Sequence, residues 1–252
     1  MTLSPQILLR DVGLCVAFFT RLPVPAFDAS DRSLSAAFWA APVAGWAVAL
    51  IGGLAFALAN GLGLAAGPAA ALALAATMLA TGCLHEDGLS DTADGFGGGL
   101  TRERTLEIMR DSRIGAFGAC ALALSILLRW SALSELAGPG AVFAALIAAH
   151  GASRALLPAL LRLVPPARSD GLSAGAGAVE APVANTALLL GAASLLALGL
   201  AGVVAAALLL AAAFFLMRAL CLKKIGGQTG DTAGALQQVA EILVLLAASA
   251  VF

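Results

Sequence analysis

Residues 36–59 read AAFWAAPVAGWAVALIGGLAFALA and contain no charged side chain. A helix needs about 20 mostly apolar residues to cross a bilayer, so this stretch is long enough to span one. The whole chain is also strongly apolar, with 61% hydrophobic and 12% charged residues and a mean hydropathy of +0.97. Soluble domains, in contrast, are about a quarter charged.

Six further apolar runs lie near residues 65–84, 114–131, 139–161, 184–200, 203–221 and 232–252. We therefore predict an all-α fold: a polytopic integral membrane helical bundle of about seven transmembrane helices with amphipathic surface helices, forming one domain over residues 1–252.

The basic residues are distributed unevenly around these runs. If the amino terminus is cytoplasmic, all but two of the 14 Lys and Arg residues fall in segments on the cytoplasmic side, the exceptions being Arg129 and Arg154. This is the bias that the positive-inside rule describes. Most acidic residues share those segments, which the rule does not require. Acidic and basic groups on one face indicate a working surface there, and the formal net charge of −1 gives no indication of nucleic-acid binding.

The segment from His85 to Gly99 reads HEDGLSDTADGFGGG and is the most informative part of the chain. On a helix, Asp87, Asp91 and Asp94 would lie within about 60° of one another. Carboxylates so close repel, and a divalent cation removes the conflict; oxygen ligands favour Mg²⁺, or Mn²⁺. We predict a metal site here, with His85 as a weaker substrate-binding candidate. The alternative is a solvated acidic loop that caps the second span.

A basic segment follows the acidic one. Thr101 can cap a short surface helix that runs to about residue 112. Because the arginine fork binds phosphate oxygens in pairs, we predict substrate binding by this group, with simple attraction to anionic lipid as the alternative. Its members are Arg102, Arg104, Arg110 and Arg113.

A glycine-rich segment, separate from the acidic one, lies after the sixth apolar run, and its turn opens into a helix between Gly226 and Ala235. Such a turn presents backbone N–H groups and the positive end of a helix dipole to a phosphate, so Gly227 and Gly230 are substrate-binding candidates. Asp231 can reach a metal or accept a proton, or it can be a plain helix-start residue. Arg154 lies inside the fourth run, where a charged group is costly unless it is paired or faces a cavity, and it is a further substrate-binding candidate.

At these residues the sequence resembles the cobalamin synthase family of adenosylcobinamide-GDP ribazoletransferases. The string Met109-Arg110-Asp111-Ser112-Arg113 and the Asp-Gly strings are the most specific parts of the match. The resemblance covers most of the chain, including residues 19–25, 85–95, 108–118 and 226–235.

This resemblance implies that adenosylcobinamide-GDP and α-ribazole, or α-ribazole 5′-phosphate, are joined to give adenosylcobalamin, or its 5′-phosphate, and GMP, with Mg²⁺. We expect Asp87, Asp91, Asp94 and Asp231 to hold the metal. The expected location is the bacterial cytoplasmic (inner) membrane with the active site on the cytoplasmic side. The expected partners are the two substrates and the lipid bilayer but no nucleic acid, and we allow for a homo-oligomer or a complex with other corrinoid enzymes.

Looser similarity links Asp91-x-x-Asp94-Gly95 to the CDP-alcohol phosphatidyltransferases. The chain departs from that longer pattern, because Gly98-Gly99 replaces its Ala-Arg and its later pair of aspartates is missing. The general base that this pattern supplies in those enzymes therefore has no counterpart after Gly95 in this chain. The candidate catalytic carboxylates are Asp94, Asp231 and Asp111. The competing functions are a CDP-alcohol-type phospholipid phosphotransferase, a membrane transporter and a structural anchor for other corrinoid enzymes.

Overall fold

The computed structural model describes residues 4–24, 32–136, 138–169 and 177–252, and all structural statements refer to these. In these ranges the chain forms α-helices and short 3-10 turns, with no β-strand. The α-helices are α1 (Pro5–Phe19), α2 (Leu34–Ala37), α3 (Ala41–Gly61), α4 (Ala66–Thr81), α5 (Leu84–Gly98), α6 (Arg102–Ile108), α7 (Ala116–Ser134), α8 (Pro139–Leu163), α9 (Ala181–Leu195), α10 (Gly199–Ile225) and α11 (Gly230–Ser249).

Five helical segments among the described residues are long and apolar enough to cross a membrane, or six if a bent pair counts as one span. The chain is therefore a multi-pass, all-α membrane protein, as predicted. The predicted number of about seven differs because helices α9 and α10 form one 45-residue apolar segment, Ala181–Ile225. At 1.5 Å per residue that segment is about 68 Å long, more than twice the thickness of the hydrocarbon layer. Its backbone changes direction at Gly199 (φ 67°, ψ 175°), two residues before the gap between the fifth and sixth predicted runs.

The bent pair is α4 and α5, whose axes meet at 89°. Two successive left-handed residues, Gly82 (φ 62°) and Cys83 (φ 58°), produce the bend. The backbone N–H of Arg21 donates to the carbonyl of Ala80 (2.7 Å) and holds the residues after α1 against the end of α4. The acidic segment is therefore a separate helix and does not continue α4 in a straight line.

Small residues let the central helices approach closely. A Cβ atom at Gly45 of α3 would collide with the His150 carbonyl of α8, and one at Gly52 would lie 2.6 Å from Thr77 of α4. These contacts agree with the structural role expected for glycine in lipid-embedded helix packing.

The short helix predicted after Thr101 is present as α6. The hydroxyl of Thr101 accepts from the N–H of Arg104 and caps α6, which ends at Ile108 rather than near residue 112. Helix α1 buries one face, and its fully buried Asp11 accepts from Arg32 (2.7 Å) and from the Trp39 indole (2.7 Å). These hydrogen bonds attach α1 to the segment that leads into α3.

A polar network occupies the interior between α5, α7, α8 and α11. Arg129, 1% exposed, donates to Glu86 (3.0 Å) and to Glu241 (3.1 Å). Glu241 also contacts His150 (3.1 Å) and accepts from Gln237 (2.7 Å). Each charged group in this network therefore has a partner, as membrane interiors require.

Candidate functional site

Helix α5 carries the acidic residues, and it lies between α7 and the start of α11. The contact with α11 is made by backbone: a Cβ atom at Gly88 would lie 2.8 Å from the Asp231 carbonyl oxygen, and one at Gly234 would lie 3.3 Å from the Cα of Gly88. Because no side chain separates the two helices, the carboxylates of Asp87, Asp91 and Asp231 are close enough to repel one another electrostatically. The structure thus brings the acidic segment and the glycine-rich turn together.

Asp94 faces a different partner. Its two oxygens accept from the backbone N–H groups of Gly115 (2.7 Å) and Gly118 (2.9 Å), at the start of α7. Gly115 has no side chain with which to cap the helix, so Asp94 does so from α5, and the positive end of the helix dipole favours its charge. The predicted metal-binding and catalytic roles of Asp94 stay predictions, and the observed contacts make it a helix cap.

Asp231 lies in the first turn of α11. Its carboxylate accepts from the Thr229 hydroxyl (3.2 Å) and from Arg168 (3.0 Å). Arg168 was not among the predicted site residues, and its Nη1 has no hydrogen-bond partner in the described part of the chain. In the sequence, only its place in the basic segment after the fourth apolar run, which we predict to be cytoplasmic, pointed to it.

The four arginines of the basic segment have different surroundings. Arg102 donates to the carbonyls of Ile225 (2.9 Å) and Ala167 (2.6 Å), and so joins α6 to the end of α10. Arg104 pairs with Glu107 on the surface (2.7 Å). Arg110 lines the same cavity as Asp87 and Asp91.

Arg113 is bound to Asp111 by a short contact of 2.7 Å. The hydrogen bonds from Arg113 lower the pKa of Asp111 to about 2. A carboxylate with so low a pKa is a weak proton acceptor near neutral pH. Asp111 is therefore a poorer candidate for the general base than the sequence alone could show.

Backbone N–H groups of the glycine-rich turn at residues 226–235 are already bonded to carbonyl groups elsewhere in the protein. The N–H of Gly227 donates to Cys221, and that of Gln228 donates to Pro165 (2.8 Å). Gly230 remains beside an open cavity as the first residue of α11. Arg154 is 1% exposed and contacts His150 (3.0 Å), so it belongs to the interior network, where it lines a small cavity of about 160 Å³.

Two large cavities border α5 in the described part of the chain, and Asp87 lines both. The aromatic cavity contains about 720 Å³ of empty space, part of it open to solvent. The polar cavity, on the other side, contains about 890 Å³, also partly open. The aromatic cavity is lined by Phe18, Phe19, Phe38, Leu84, His85, Asp87, Gly88, Leu157, Leu161, Gly230, Asp231, Ala233 and Gly234, and the polar cavity by Met78, Cys83, Glu86, Asp87, Ser90, Asp91, Met109, Arg110, Asp111, Ser112, Ile114, Leu122 and Ile126.

A metal ion has oxygen ligands available here but no finished cage. Among the described residues, no group of three or more His, Cys, Asp or Glu side chains is placed to hold an ion. Mg²⁺, however, usually takes one or two protein carboxylates and completes its shell with water and substrate phosphates. Asp87 and Asp91 on the wall of the polar cavity fit that partial donor set.

The fold and the site together define a multi-pass membrane protein in which a carboxylate-bearing helix separates an aromatic cavity from a polar one. The family model described as "CobS: Cobalamin-5-phosphate synthase" matches residues 11–249. The chain belongs to this family.

Several relatives carry the name adenosylcobinamide-GDP ribazoletransferase. The protein of Mesorhizobium japonicum is 64% identical over 99% of this chain and 96% of its own length. That of Bradyrhizobium diazoefficiens is 51% identical (96% and 94% covered), and that of Azorhizobium caulinodans is 48% identical (95% and 95%). No solved structure matches the chain.

Proposed function

We propose that the chain catalyses the last assembly step of cobalamin biosynthesis. It joins adenosylcobinamide-GDP to α-ribazole, or to α-ribazole 5′-phosphate, and releases GMP. Family membership and relatives of 48–64% identity that carry the transferase name support this reaction. The structural observation that carries it is the placement of Asp87 and Asp91 beside Arg110 in the polar cavity, with Asp231 adjacent across Gly88.

In the proposed reaction a ribose hydroxyl of the acceptor attacks the phosphorus next to the corrinoid's aminopropanol arm. The new O–P bond forms as the diphosphate bridge breaks, and GMP leaves with the bridging oxygen. When bound at Asp87 and Asp91, Mg²⁺ supplies neutralisation of the charge on the diphosphate and on the leaving GMP. Arg110 holds phosphate oxygens from the wall of the polar cavity.

The proton of the attacking hydroxyl needs an acceptor, and we assign it to Asp231. Of the three predicted catalytic carboxylates, Asp94 accepts two backbone N–H groups, and the hydrogen bonds from Arg113 lower the pKa of Asp111 to about 2. Asp231 lines an open cavity, and its contact with Arg168 orients its carboxylate. Positioning of this kind and electrostatics account for most of the catalysis in phosphoryl transfer.

We place the protein in the cytoplasmic (inner) membrane with the site facing the cytoplasm, because the positive-inside bias supports that orientation. A homo-oligomer and a complex with other corrinoid enzymes stay expectations.

The test is GMP release by the purified protein in nanodiscs, with both substrates, with and without Mg²⁺. The key variant is Asp91→Asn, and the matched control is Glu135→Gln, an exposed acidic residue at the end of α7. We expect magnesium-dependent release that Asp91→Asn reduces at least a hundredfold and that the control retains. Release of CMP from a CDP-alcohol donor instead would favour the phospholipid phosphotransferase, and full activity in Asp91→Asn would move the metal site elsewhere.

A further inference from the structure

The aromatic cavity has walls suited to a flat, apolar ring. Phe18, Phe19 and Phe38 form a cluster with ring centroids 4.9–5.9 Å apart. Leu157 and Leu161 of α8 complete the apolar lining. Phenylalanine rings arranged in this way favour a planar ligand, which can stack on one face and meet the edges of others.

One polar ring also lines this cavity. His85 is stacked on Phe19, with centroids 5.8 Å apart and an angle of 14° between the rings. It is 3% exposed, and its Nε2 has no hydrogen-bond partner among the described residues. His85 also lines the small interior cavity beside Arg154 and Glu241. Buried polar atoms normally find a partner, so this nitrogen is available to a polar atom of a ligand or to a water molecule.

The cavity meets the carboxylates at its other end. Asp87 and Asp231 lie in its wall, where Gly88 and Gly234 bring α5 and α11 together. A ligand whose ring lies among the phenylalanines therefore has its remaining part beside the groups that we assign to metal binding and proton transfer. That arrangement fits a nucleoside whose base is apolar and whose ribose reacts.

The chemistry of the lining also discriminates between the rings of the two substrates. A benzimidazole is flat and mostly apolar, as this lining is. Guanine, a ring of the donor, has a polar edge with several hydrogen-bond donors and acceptors, which this mostly apolar lining would leave unpaired.

We infer that the aromatic cavity is the acceptor subsite: it binds the planar base of α-ribazole between Phe18, Phe19 and Leu161, with His85 as its polar contact. The polar cavity then receives the diphosphate of the donor, and the reacting ends of the two substrates meet at Asp87, which lines both cavities. This inference rests on the proposed function and adds to it a separate cavity for each substrate.

The experiment uses two variants of the cavity and two matched controls. Phe18→Leu removes a ring from the wall, and Leu161→Trp fills the space. Phe215→Leu and Leu163→Trp make the same changes at side chains that are 62% and 53% exposed. Thermal melting of each protein in nanodiscs verifies the fold, and GMP release is then measured against each substrate in turn.

We expect Phe18→Leu to raise the KM for α-ribazole about five- to tenfold, the scale of a lost aromatic contact. Leu161→Trp should raise it more, and should do so more strongly for a dimethylbenzimidazole nucleoside than for one with unsubstituted benzimidazole. The KM for adenosylcobinamide-GDP should stay within twofold in both variants, and both controls should match the wild type.

Three results would overturn the inference. An increased KM for adenosylcobinamide-GDP alone would assign the cavity to the donor. Unchanged KM values for both substrates in folded Leu161→Trp would make it a space for lipid or an empty gap. Both results leave the proposed function intact, because GMP is still released. Absence of GMP release by the wild type would overturn the proposed function and this inference with it.

Discussion

The buried ion network gives the sharpest test of the fold. Arg129 is 1% exposed and is shared by Glu86 of α5 and Glu241 of α11. Replacing it with methionine keeps most of the side-chain volume but leaves two buried carboxylates without their cation. Removing one partner of a buried pair costs roughly 3–5 kcal/mol, because the remaining charge is desolvated and uncompensated. We therefore expect Arg129→Met to destabilise the protein by about that amount.

For a chain of this size 1 kcal/mol corresponds to about 2–4 °C in Tm, so the expected decrease is roughly 6–20 °C. Thermal melting in nanodiscs measures it. The matched control is Arg104→Met, which breaks an exposed pair with Glu107 and should cost no more than about 0.5 kcal/mol.

A second comparison separates charge from packing. The triple variant Arg129→Met, Glu86→Gln, Glu241→Gln no longer carries the unpaired carboxylates, so it should regain most of the lost Tm. A decrease under about 2 °C in Arg129→Met, or no recovery in the triple variant, would refute the reasoning that paired charges hold these helices together.

Two further results are expected. Gly88→Ala introduces a Cβ atom 2.8 Å from the Asp231 carbonyl, so α5 and α11 must separate by half an ångström or more. The rate of GMP release should therefore fall at least tenfold. The control Gly61→Ala, whose Cβ meets nothing within 4 Å, should match the wild type. The hydrogen bonds with Arg113 lower the pKa of Asp111 to about 2. Its contribution to stability is fully present above its ordinary pKa near 4 and is lost only as pH falls towards 2. The carboxylate therefore does not change its ionisation between pH 5 and 9. Asp111→Asn should therefore leave the shape of the activity profile between pH 5 and 9 unchanged, and a displaced profile would show that this carboxylate takes part in proton transfer.

Local sequence patterns predicted the features that depend on neighbours along the chain. The apolar runs gave the helical membrane fold, the 87, 91, 94 spacing gave one acidic helical face, and Thr101 gave a helix cap. Each of these depends on helical periodicity or on a capping residue, which act within a few positions.

The partners of these residues could not be predicted in the same way. Asp94 shares the acidic face, but its contacts are N–H groups of α7 more than 20 positions later. Arg129 meets Glu241 over 112 positions, and Asp231 meets Arg168 over 63. No local pattern encodes such pairs, so the division of one acidic face into a helix cap and a cavity wall appears only when the helices are packed.

The backbone contact between Gly88 and Gly234 has a consequence for how the protein responds to its surroundings. The spacing of α5 and α11 at this crossing depends on van der Waals radii of main-chain atoms and not on the rotamer of any side chain. Heating, or transfer to a thicker or thinner bilayer, changes side-chain populations and helix tilt long before it compresses such a contact. The spacing of the two helices that carry the acidic residues is therefore buffered against the physical state of the lipid.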